Sequence, residues 1–104
     1  MLFRSPPATR LVCITVRSKS EGKAQFVAEA LARELKKSLA SAHDVMGEPT
    51  PAPLAKIQNL YRFQIILRSD QIVRLTESLS KVVAATKLPH DVNLTVDVDP
   101  ISLL

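Results

Sequence analysis

One hundred and four residues, 46% of them hydrophobic and only 4% aromatic, suffice for one compact domain with an aliphatic core. A net charge of +4 is compatible with an anionic partner, while a single cysteine excludes an internal disulfide and, by itself, a zinc site. Two glycines and no GxxxxGK run exclude a glycine-rich phosphate cradle, and with it nucleotide binding of the P-loop kind.

The charge is uneven. Residues 1–43 carry eight bases and three acids, and residues 44–104 carry six bases and seven acids. That asymmetry suits a basic face or a solvated helix surface, the second being the commoner case. Cys13 stands in an apolar run, as a buried inert thiol does, and fits a reducing, cytoplasmic location. No run approaches the roughly 18 apolar residues that cross a bilayer, so no membrane partner is expected. The first twenty residues are acid-free and contain Arg and Ser, as transit peptides do. The β-branched run from Leu11 to Val16 argues against that reading.

Residues 1–10 read as an irregular lead-in, because Pro6 and Pro7 forbid regular helix and resist sheet pairing. Residues 11–104 read as a single domain. Leu11–Val16 predicts a strand with Val12, Ile14 and Val16 on one face. Ser18-Lys-Ser-Glu21 has the capping-box pattern, with a helix following to about Ser41. Its apolar stripe is Val27, Leu31, Leu35 and Leu39, with Ala24, Phe26 and Ala30 beside it; Glu29, Arg33, Lys36 and Lys37 face water. His43–Met46 suggests a short strand, and residues 47–53, with three prolines, a loop.

From Tyr61 to Leu67 the alternation returns, with Tyr61, Phe63, Ile65 and Leu67 on one face and Arg62, Gln64, Ile66 and Arg68 on the other. Asp70 is the expected N-cap of a second helix to about Ala85, striped with Ile72, Leu75, Leu79, Val82 and Val83. Val92, Leu94, Val96 and Val98 are the expected buried face of a last strand, with Asn93, Thr95 and Asp97 pointing outward. The order is β-α-β-β-α-β. It predicts an α+β two-layer sandwich of the ferredoxin-like kind, with both helices on one face of the sheet.

Little in the chain points to catalysis. His43 and His90 lie far apart and neither has metal-type neighbours. No Ser, His and acid cluster follows from spacing. Asp97 and Asp99 share a strand face, but acids at a strand end or sheet edge are more often structural than a catalytic pair.

Several short segments carry a resemblance. They are Pro6-Pro7 with Arg10-Leu11, Pro51-Ala-Pro53 after Gly47, Tyr61-Arg-Phe-Gln-Ile-Ile-Leu67, and Asp97-Val-Asp-Pro100. In this order and spacing the chain resembles the C-terminal domain of the primosomal protein N′ family of replication-restart helicases, over nearly its whole length. Ser5 and Ala8 stand where that family carries aromatics, and Asn59-Leu60 where Gly-Arg is more usual. The resemblance implies a bacterial, cytoplasmic, non-enzymatic C-terminal domain, preceded by a helicase lobe and similar in fold to a small-subunit ribosomal protein. It implies an accessory role in primosome assembly, engaging single-stranded or forked DNA, the parent helicase core and single-stranded DNA-binding protein. The ATP and zinc sites of that family lie in other domains, so no cofactor is expected here.

Candidate DNA contacts are the bases that recur from Lys56 onward: Lys56, Arg62, Arg68, Arg74 and Lys81, with Lys87 after them. Tyr61 and Phe63 could stack on bases, although their place on the more apolar face favours core packing. The competing reading is a protein–protein interaction domain that docks the helicase core or single-stranded DNA-binding protein with the same cations. A ligand-binding regulatory domain of the same strand order is disfavoured by the shortage of glycine and of converging polar residues.

Overall fold

The computed structural model describes residues 9–40 and 42–99. The expected lead-in lies outside them except for Thr9 and Arg10, and Arg10 already opens the first strand. Five strands and two helices follow: β1 (Arg10–Ser18), α1 (Glu21–Ser38), β2 (Asp44–Met46), β3 (Thr50–Ile57), β4 (Leu60–Ser69), α2 (Ile72–Ala85) and β5 (Val92–Val98). All pairings are antiparallel, in the order β2-β4-β1-β5. β3 continues the β2 edge along the first half of β4. β2 and β3 thus act as one edge strand, and the Gly47 N–H keeps the junction attached through the Ile66 carbonyl at 2.9 Å.

The core lies between the sheet and the helices, as the alternation in β1 and β4 requires. Val12, Ile14, Ile65 and Leu67 meet Leu31, Leu35, Leu75 and Leu79 in one cluster; Val16, Phe63 and Val92 meet Ala24, Val27 and Ala28 in the other. Both helices therefore cover the same face.

Three expectations at the helix ends are corrected. Ser18 does not cap α1, because it is still paired with Tyr61 and Val92 and fully buried. Ser20 is the cap and accepts from the Lys23 N–H at 3.3 Å, while the Ser18 hydroxyl takes the Ser20 N–H. α1 ends at Ser38, short of the expected Ser41, which is outside the described residues. Asp70 does not cap α2 either: Gln71 holds that position without a side-chain bond to the helix amides, and Asp70 instead faces His43 at 3.0 Å.

The proline segment expected to be a loop forms β3 from Thr50 onward. Proline is tolerated at an edge, where its missing N–H faces away from the ladder. The strand is irregular, however: Pro51 pairs with Phe63 and Lys56 with Tyr61, so Ala52 to Ala55 bulge opposite Arg62 alone. Gln58 and Asn59 close the β3–β4 hairpin, both at positive φ (56° and 65°), as a tight two-residue turn of primed type demands.

Two apolar stripes are also less buried than periodicity suggests. Phe26 is 68% exposed on the outer side of α1, and Val96 and Val98 are 39% and 43% exposed. The valines point toward the helix layer, but α2 leaves them lining a shallow groove of about 380 Å³ with Leu79, Val83 and Ala84.

Candidate nucleic-acid interface

The sheet face away from the helices is built by the other half of each alternation. Register places its residues in rows. Asn93, Arg17 and Arg62 form one; Thr95, Thr15, Gln64 and Thr50 the next; then Asp97, Cys13 and Ile66; and finally Leu11, Arg68 and Val45. Arg17 and Arg62 stand directly opposite each other on the two central strands. Arg68 projects from the same side of β4, six residues on and exposed.

Beneath these longer side chains Cys13 and Thr15 are buried, and the Gln64 side-chain oxygen lies 3.8 Å from the Cys13 sulfur. Burial pushes the Cys13 thiol pKa above its ordinary value, which keeps it protonated and unreactive. Asp97, exposed at the β5 edge, is the one acid these rows contain among the described residues.

The basic stripe expected from sequence is therefore divided. Arg62 and Arg68 share the helix-free face. Lys56, paired with Tyr61, lies on the other side with its ammonium 5.0 Å from the Tyr61 ring centre, a cation–π distance. Lys81 lies on α2, beside Glu34 and Lys37 in the groove between the helices. Lys87 follows α2, exposed.

Arg74, another of the expected DNA contacts, is held in an ion pair within the domain. It donates to Asp44 at 2.5 Å and to Gln71 at 2.8 Å. The Asp44 side chain has no solvent exposure and also accepts from the Ser69 hydroxyl at 2.6 Å and the Ala40 N–H at 2.8 Å. Burial alone would raise the Asp44 pKa, but the bonds from Arg74, Ser69 and Ala40 outweigh it and hold the carboxyl below its ordinary value. Arg74 neutralises a buried carboxylate that ties β2, β4 and α2 together.

The aromatic candidates are placed by the same geometry. Phe63 is 6% exposed in the second core cluster, so it offers no ring to a base; Tyr61 packs, half-buried, against that cluster. The residue that sequence reasoning passed over is Arg17. The signal was available, since Val12, Ile14 and Val16 pointing inward require Arg17 to point outward.

The two ends of the domain meet at Asp99. Arg10 bonds its carboxylate at 2.5 Å, the Leu11 N–H donates to it at 3.1 Å, and the Asp99 N–H returns to the Leu11 carbonyl at 2.6 Å. The bonds from Arg10 and Leu11 hold the Asp99 pKa below the usual carboxylate value. Arg10-Leu11 and the Asp97-Val-Asp99 segment are thus two halves of one clasp.

This architecture is a ferredoxin-like α+β sandwich. A de novo designed protein, Foldit4, matches 88% of the chain and 97% of its own with a TM-score of 0.64 at 16% identity. A designed protein with ferredoxin fold gives 0.57 at 12% identity, covering 88% of this chain and 85% of its own. These show the fold alone. The chain belongs to the family described as the primosomal protein N C-terminal domain, whose model matches residues 1–101.

Among its relatives, replication restart protein PriA of Bacillus subtilis is 28% identical over 102 residues, 95% of this chain and 12% of that protein. The protein of the same name from Treponema pallidum is 30% identical over 99 residues, 95% and 15% respectively. The probable replication restart protein PriA of Deinococcus radiodurans is 36% identical over 74 residues, 71% and 8%. The chain thus spans only 8–15% of the length of these relatives. Among the described residues no helix is long and apolar enough to cross a membrane, and no three His, Cys, Asp or Glu side chains group as metal ligands would.

Proposed function

We propose that this chain is an accessory domain acting in replication restart, which holds single-stranded or forked DNA by its phosphates across the helix-free sheet face. It performs no catalysis of its own and needs no cofactor; ATP and zinc chemistry belong to other domains. The observation that carries the reading is the Arg17–Arg62 pair, directly opposed on neighbouring strands. Cations that share one surface are what phosphate neutralisation requires. Arg68 extends the same cationic face along β4. Membership of a family whose relatives are named replication restart proteins supports DNA as the anion.

A salt titration tests it. The protein is titrated into a labelled single-stranded oligonucleotide, followed by fluorescence anisotropy, at several salt concentrations. Affinity falls with a log–log slope of roughly 0.7 per phosphate contacted. Replacing Arg17 and Arg62 together with Ala flattens that slope by about 1.4 on the same scale. DNA binding that ignores both arginines refutes the reading and leaves docking to a helicase core or to single-stranded DNA-binding protein in its place.

A further inference from the structure

Resting on that reading, we infer that the face recognises the sugar–phosphate backbone alone and is blind to the bases. Sheet surfaces can hold single-stranded nucleic acid by stacking bases on exposed aromatic rings. Here both aromatics of β4, Tyr61 and Phe63, turn toward the helices, and Phe26 sits on the outer side of α1. Among the described residues the rows of the helix-free face hold Arg, Asn, Thr, Gln, Cys, Ile, Leu, Val and Asp, and no ring.

Groove reading is closed off by width. Four strands stand side by side where β3, β4, β1 and β5 meet, so the sheet is about 14 Å across at ~4.8 Å per gap, whereas a B-form major groove is about 12 Å wide. What remains is a line of cations and small hydrogen-bonding groups. Arg62 and Arg68 lie six residues apart on one strand, a span of roughly 20 Å. Between them the half-buried Gln64 and its row neighbour Thr50, which is exposed, offer uncharged donors and acceptors. Asp97, on the β5 side, repels phosphate and keeps the path to the β4 side of the sheet.

The test compares a labelled oligothymidylate with an abasic oligonucleotide of the same length, at matched salt. Stacking on an aromatic platform is worth roughly five- to 150-fold in affinity per base, so a base-blind face gives affinities within about twofold of each other. Replacing Arg17 and Arg62 with Ala lowers both equally, and Arg17→Lys with Arg62→Lys, which keeps the charges and guards against misfolding, restores both. An abasic strand bound tenfold or more weakly, with the arginine dependence intact, overturns the inference while leaving the phosphate reading in place. Loss of arginine dependence on both strands overturns the two together.

Discussion

Replacing Asp44 with alanine removes the acceptor for three donors at once: the Ser69 hydroxyl, the Ala40 N–H and the Arg74 guanidinium. Ser69 is 1% exposed, so its hydroxyl would have no water to turn to. Orphaning a buried neutral donor costs about 1–3 kcal/mol, while the carboxylate's own desolvation is recovered. With two such donors stranded, the loss at Asp44 comes to about 3 kcal/mol, a large share of the ~5–15 kcal/mol available to a domain. The melting temperature would fall by about 12–24 °C, at ~4–8 °C per kcal/mol for a domain near this size.

Urea unfolding followed by circular dichroism measures it, as a lower midpoint with an unchanged slope. The effect depends on pH with a definite sign. The Asp44 pKa is depressed in the folded state, so its contribution is complete above the unfolded value of about 3.9 and is lost as pH falls through the folded value. The gap between wild type and variant therefore narrows below about pH 4. A loss under about 1 kcal/mol at neutral pH, or a gap that does not shrink on acidification, would show that the buried network is not what joins β2 to α2.

Three further outcomes follow from the same geometry. Replacing Gln58 with Asn and Asn59 with Gly should stabilise the hairpin by about 1 kcal/mol in the same assay, because both positions hold positive φ; no gain would mean that the turn is not of primed type. Val98→Thr should stay within about 0.5 kcal/mol of wild type, whereas Val16→Ala should cost about 2 kcal/mol; equal costs would mean that Val98 is buried after all. Asp99→Ala should speed hydrogen exchange at Leu11, whose N–H loses its acceptor, without disturbing the amides of mid-β4; unchanged protection at Leu11 would remove the clasp from the account.

The elements that periodicity can specify were legible in the sequence. β1, α1 and the two faces of β4 follow from alternation and from i, i+4 spacing, because each buries a continuous stripe against one partner layer. What sequence could not supply was information about partners. Ser18 and Ser20 are equally good caps until the pairing of Ser18 with Tyr61 shows that the strand has not yet ended. Val96 and Val98 continue the apolar alternation of β5, but nothing local reports that α2 leaves them uncovered.

Prolines 51 and 53 read as loop because a missing N–H matters only on a strand's paired side, and an edge has a side to spare. In the sequence Arg74 reads as one more surface cation, since Asp44, thirty residues earlier, is brought to it only by β2 folding onto β4. Arg17 was the reverse case. Its outward direction was already implied by Val12, Ile14 and Val16, but its significance needed the register that sets it against Arg62.

The most direct test of the account is the salt dependence of single-strand binding by the wild-type chain and by the Arg17→Ala, Arg62→Ala double variant, side by side. The account predicts steep, salt-sensitive binding for the wild type and a slope shallower by about 1.4 for the variant. Identical slopes, or no binding by the wild type even at low salt, would contradict it and take DNA off this face of the sheet.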